Sequence, residues 1–195
     1  MNKNRLEAFS DGVLAIVITI MVLEIKVPHG DKWSDLQILT PVFLSYVLSF
    51  IYIGIYWNNH HHMMHTATKI SGKVLWANLH LLFWLSMIPF STGWMGENNF
   101  GAAPMALYGV VLFMSAVAYK ILQTTLLRCQ GQNSILAKAV GNDKKGLISP
   151  LLYLMAIAST WVHPMIAGVI YVLVALMWLI PDLRIEKIIE ADKTA

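Results

Sequence analysis

The chain has 195 residues, of which 57% are hydrophobic and 13% charged, with a formal net charge of +3. A soluble domain carries about 25% charged residues, so this balance, with a mean hydropathy of +0.60, excludes an ordinary water-soluble fold. The pI near 9.0 calls for no nucleic-acid partner, because the excess Lys and Arg sit beside apolar runs.

The first element lies in RLEAFSDGVLAIVITIMVLEI, residues 5–25, and a helix is predicted over about 4–27. Only twelve uncharged residues separate Asp11 from Glu24. They rise roughly 18 Å, against ~30 Å of bilayer hydrocarbon. Acidic residues bracket the run and no small-x-small site follows Val27, so it does not read as a cleaved signal peptide. Further uncharged runs predict helices over about 35–64, 71–95, 102–128, 147–162 and 164–186, six spans in all and one domain over 1–195. The segment GQNSILAKAVGNDKKG, residues 131–146, is a loop with room for a short surface helix, and TWVHP forces a tight hairpin between spans five and six. Pro41 and Pro89 read as lying near span ends, and Cys129 as a buried small residue.

Eleven of the fourteen Lys and Arg fall on one side of this six-span path, and only Lys26 and Lys32 on the other. Lys120 lies inside span four, close enough to the basic end to snorkel. Because cytoplasmic flanks collect basic residues, both termini are expected in the cytoplasm of a multi-pass protein of the cell membrane.

At about 100° per residue, Arg5, Phe9, Gly12, Ile16, Thr19, Ile20 and Leu23 share one stripe of the first helix. Asp11 points to nearly the opposite side, with Leu14, Ile18, Val22 and Ile25. A carboxylate in a membrane needs a partner, so both sides of the helix call for protein or water. The helix therefore belongs inside an assembly, and since spans four to six hold no second copy of its pattern, the assembly is of several chains.

Arg-x-x-x-Phe-Ser-Asp, at Arg5, Phe9, Ser10 and Asp11, closely resembles the signature of the transmembrane protein 175 family of organellar and prokaryotic potassium channels. The resemblance implies an all-α integral membrane protein forming a homotetramer, with four copies of the first helix around a pore and no re-entrant loop. It places the constriction about one and a half turns past the motif aspartate, at Ile16, with Thr19 as a hydroxyl layer one turn above. Ile20 and Leu23 complete the candidate pore stripe. No Thr-Val-Gly-Tyr-Gly filter and no ladder of arginines are present. Modest potassium-over-sodium preference is the expectation, with K+ as the permeant ion and no cofactor.

NNHHHMMH, residues 58–65, closes span two at the depth of Asp11. Trp57 and His61 lie four apart on one face, and Trp57, His61 and Asn78 are the candidate partners of Asp11 and Ser10. His60, His62 and His65 are expected among lipid headgroups, and His80 and His163 as hydrogen-bonded bundle residues. His61 and His65 have the i, i+4 spacing of a ligand pair, but one cluster without separated His boxes argues against a His-dependent membrane metalloenzyme, and no metal centre is expected. No nucleophile–base set or phosphate loop supports catalysis. A secondary cation transporter is the other alternative, and it would ordinarily show internal repeats and broken helices. Glu97 reads as a solvated charge.

Overall fold

The computed structural model describes residues 3–131, 134, 136–137 and 143–179. Among them it is all-helical: α1 (Lys3–Leu23), α2 (Trp33–Gln37), α3 (Thr40–His65), α4 (Gly72–Ser86), α5 (Ile88–Glu97), α6 (Ala102–Gln130), α7 (Lys144–Ser159) and α8 (Pro164–Leu179). Four stretches are long and apolar enough to cross a membrane: α1, α3, the α4–α5 pair over Gly72–Glu97, and α6. Helices α7 and α8 each have 16 described residues, just under the lower limit of about 17 for a crossing, and α8 is described no further than Leu179. The predicted end of the sixth span at 186, and most of the 131–146 loop, lie outside the described residues.

The boundaries follow local chemistry. Pro41 enters the first turn of α3, where its missing N–H is no loss. Ser71 caps α4 by accepting from the Val74 N–H, and Asp143 caps α7 by accepting from the Gly146 N–H. Pro89 departs from expectation: it lies inside the third apolar stretch, two residues past a break at Met87 that separates α4 from α5. Proline has no N–H to continue the helical ladder and crowds the preceding turn, so the helix stops and restarts.

Two apolar cores result. The first joins α1, α3, α4 and α6 through Leu14, Val17, Ile53, Met64, Leu81, Leu85 and Leu122. The second gathers Tyr52, Tyr108, Tyr153 and Tyr171 with Met95 and Met105 between α3, α5, α6, α7 and α8. Its hydroxyls are paired: the Tyr52 hydroxyl donates to the Tyr171 carbonyl at 2.6 Å and the Tyr171 hydroxyl to the Met105 carbonyl at 2.9 Å. Ser49 bonds Thr92 at 2.6 Å and Tyr108 at 3.0 Å.

Polar contacts tie the helix ends together. At one end the Lys3 ammonium donates to the His65 carbonyl at 3.2 Å, and Gln130 accepts from Thr68 and donates to the Lys69 carbonyl. Lys120 reaches Asp143 at 3.6 Å and Gln123 at 2.7 Å, so it is paired rather than merely snorkelling. Cys129 is half-buried beside this end, not buried as expected. At the opposite end Lys26 meets Glu97 at 2.8 Å. Glu97 is therefore paired, and its carboxylate raises the Lys26 pKa, chiefly through the hydrogen bond.

Helix α1 packs on α3, α4 and α5 and makes no comparable contact with α6, α7 or α8. It lies at an edge of the helix bundle. The site described next follows from that placement.

Candidate functional site

One seam of α1 faces its own chain. Leu6, Ser10, Leu14, Val17 and Met21 are buried there at intervals of three and four residues, the period of an α-helical face. The inward seam thus centres on Ser10. Asp11 lies on its flank and is exposed, and of Leu14, Ile18, Val22 and Ile25, expected on the same side as Asp11, only Leu14 belongs to the buried seam. At 100° per residue, Asp11 falls about a quarter turn from the centre of the seam.

Two sets of contacts hold this part of α1. On the flank, Trp57 Nε1 donates to Asp11 Oδ1 at 3.0 Å. The His61 ring lies against the Trp57 ring, centroids 6.0 Å apart and planes 24° from parallel. In the seam, Asn78 Nδ2 donates to Ser10 Oγ at 2.9 Å, and Ser10 Oγ donates to the Leu6 carbonyl at 2.8 Å. His60 Nε2 meets Asn78 Oδ1 at 2.8 Å. Because that amide oxygen can only accept, the imidazole carries its proton on Nε2. Ser10, Asn78 and His60 are all buried.

Among the sequence candidates, then, Trp57 meets Asp11 and Asn78 meets Ser10. His61 meets Trp57 and stands one step removed from the motif. His60 corrects the expectation of a headgroup histidine. The signal was in the period of α3: Ser49, Tyr52, Tyr56, His60 and Met63 recur at three and four residues on its buried face. His61 falls one residue round, beside Trp57. His80 accepts from Trp84 Nε1 at 3.0 Å as a half-buried bundle residue. His163 is exposed and its ring accepts from the Met165 N–H at 3.3 Å, so among the described residues it is a turn residue beside the bundle and not a bridge between helices.

Ile16, Thr19, Ile20 and Leu23 have no place in this packing. Ile16 is 60% exposed and Leu23 75%. Arg5, Phe9, Gly12, Thr19 and Ile20 are also exposed, which completes the stripe. The Thr19 hydroxyl donates to the Ala15 carbonyl at 2.8 Å, and its oxygen keeps its capacity to accept. A methyl group placed on Gly12 would meet nothing within 4 Å. Beside the stripe runs an open groove, lined by Val13, Ile20, Pro89, Phe90 and Trp94 and bounded by Glu24. Among the described residues no group of three metal-binding side chains converges.

Long apolar helices, a motif pinned by a tryptophan and an asparagine, and an exposed apolar stripe on α1 define an integral membrane protein of the helical class. A family model described as the endosomal/lysosomal potassium channel TMEM175 matches residues 5–89. A potassium channel of Chryseobacterium sp. (strain P1-3) is 57% identical over 187 residues, covering 96% of this chain and 97% of that protein. A potassium channel of Chamaesiphon minutus is 30% identical over 182 residues, 87% of this chain and 90% of the relative. The crystal structure of a lysosomal potassium-selective channel TMEM175 homolog from that organism superposes with a TM-score of 0.79 at 26% identity, over 92% of this chain and 97% of that one. The chain belongs to the TMEM175 family, a family of channels and not of enzymes.

Proposed function

We propose that the protein is a modestly potassium-selective cation channel of the cell membrane, a homotetramer in which four α1 helices line the pore. Each subunit crosses six times with both termini in the cytoplasm, α7 and α8 supplying the last two crossings. The observation that carries this reading is the division of α1 into two faces. One is held by Asp11, Ser10 and the Leu14 seam. The other leaves Ile16, Thr19, Ile20 and Leu23 exposed, with Ile16 and Ile20 along the rim of an open groove. An apolar and hydroxyl stripe at the edge of one subunit becomes an axis only when other copies bring theirs to it.

In this arrangement the ring of Ile16 closes by excluding water, since a dewetted apolar constriction is costly for an ion to cross. The Thr19 ring, one turn above, offers hydroxyl oxygens as partial substitutes for hydration. No carbonyl cage is available, so discrimination is modest. The break at Met87 is the one feature shared with transporters, whose broken helices carry substrate near the midplane. Here the restarted helix turns Ser91 and Thr92 into a packed interior, with Thr92 bonded to Ser49.

The test is a pair of substitutions read as current. Ile16→Asn replaces four branched hydrocarbon side chains with amides, so basal current rises and sodium gains on potassium. Thr19→Val keeps the apolar closure and lowers discrimination or conductance. Unchanged current and reversal potential in Ile16→Asn, with both altered by a change at Leu23, would put the constriction two turns higher.

A further inference from the structure

We propose that His61 and His65 form a surface site for a borderline divalent transition-metal ion such as Zn2+ or Ni2+, and that its occupancy acts on the anchor of α1. Both imidazoles are exposed on the last turns of α3. Their ring centroids are 6.2 Å apart. One ion bound to a nitrogen of each ring at ~2.0–2.1 Å, with a tetrahedral angle between them, sets the centroids roughly 5 Å apart. The rings must therefore close by about 1 Å, within the reach of a side-chain rotation.

Two features favour a cation there. The site lies at the C-terminus of α3, where the last carbonyls carry partial negative charge. The Asp11 carboxylate is held by Trp57, the ring on which His61 rests. The Lys3 ammonium on the His65 carbonyl opposes binding. With two protein ligands and water in the remaining positions, the ion exchanges freely. This is a site for an occasional ligand and not for a resident structural metal.

His61 stands between two partners on one face, with Trp57 one turn before it and His65 one turn after. It can lie on the indole or share an ion with His65, and the second requires it to leave the first. Trp57 Nε1 holds Asp11, so the ion reaches the motif of α1 through two contacts. The ring of His62, 5.7 Å from that of His61 and edge-on to it, is no part of the chelate.

The test is a Ni2+ titration of the purified full-length protein carrying no polyhistidine tag, read by quenching of tryptophan fluorescence and, separately, by equilibrium dialysis. Saturable binding is expected, with Trp57→Phe losing most of the quench while binding at least as tightly as the wild type. Removing one of two ligands should weaken binding by at least the ~10-fold that loss of an outer-shell partner brings, so His61→Ala, His61→Gln and His65→Ala each fall by that much and His62→Ala is unchanged. Wild-type affinity in any of those three variants, or an equal loss in His62→Ala, would overturn the site. The link to α1 rests on the channel reading: Ni2+ on the α1 N-terminal side should alter potassium flux in the wild type and not in His61→Ala. Flux that ignores bound Ni2+ would overturn the coupling, whereas a wild type without flux under any condition bears on the channel reading instead.

Discussion

At the scale of the residue, the two polar anchors of α1 differ in how much water they see. Asn78 bridges Ser10 and His60 in a buried position, whereas Asp11 and the Trp57 indole meet at the surface of the subunit. An unpaired buried polar group costs about 1–3 kcal/mol, and Asn78→Ala strands the buried His60 N–H and takes one of two partners from Ser10, which keeps its bond to Leu6. Asp11→Ala strands one indole N–H that is 45% exposed as a residue and can turn to water. Thermal unfolding in detergent should therefore rank Asn78→Ala well below Asp11→Ala. The reverse order would mean that the tetramer buries the Asp11 flank more deeply than the seam. The motif and its partners Trp57 and Asn78 were readable by depth along the helices. The histidine was not, because neighbouring residues on a helix differ by about 100° in direction, and among three consecutive histidines only the phase of the whole buried face of α3 selects His60.

At the scale of the element, close helix approaches are set by glycine. A methyl group on Gly109 of α6 would strike the Tyr171 hydroxyl of α8 and come within 2.7 Å of Ile157 in α7. On Gly96 of α5 it would lie 2.7 Å from the Val42 backbone in α3. Overpacking of this kind costs about 1–3 kcal/mol, so Gly109→Ala and Gly96→Ala should each lower the unfolding midpoint. Gly12→Ala should leave the subunit fold intact, since Gly12 meets open space on the outward stripe of α1. Circular dichroism melts of the three variants check the ranking. Uniform apolar runs announced the long helices, because length and hydropathy alone decide them. The interruption at Met87 was hidden for the same reason: Pro89 sits within an unbroken apolar run, and only its position relative to both ends reveals that it divides a helix rather than ending one. The buried hydroxyl contacts of Ser49, Thr92 and the tyrosines were equally hidden, since each links helices far apart in sequence.

At the scale of the whole molecule, α1 is an edge helix with a pinned face and an open one, and in the proposed tetramer three further copies would give the open face its use. Native mass spectrometry in detergent should record a homotetramer, and a monomer or dimer as the sole species would reject the arrangement. The positive-inside count and the contacts agree on which ends lie together: the start of α1, the end of α3 and the end of α6 meet through Lys3, His65, Gln130 and Lys69. Far from them, the Lys26–Glu97 pair closes the other end. Because the Lys26 pKa is raised in the fold, its contribution is present below the lysine's ordinary range and lost as pH rises through the raised value.

The most direct test of the central claim, that this chain conducts potassium through a pore of α1 helices, is the zero-current potential of the reconstituted protein with potassium on one side of a bilayer and sodium on the other. The account predicts a potential displaced toward that of a potassium electrode but short of it, and displaced less in Ile16→Asn. A bilayer that carries no current with any alkali cation, or a potential of the opposite sign, would contradict it.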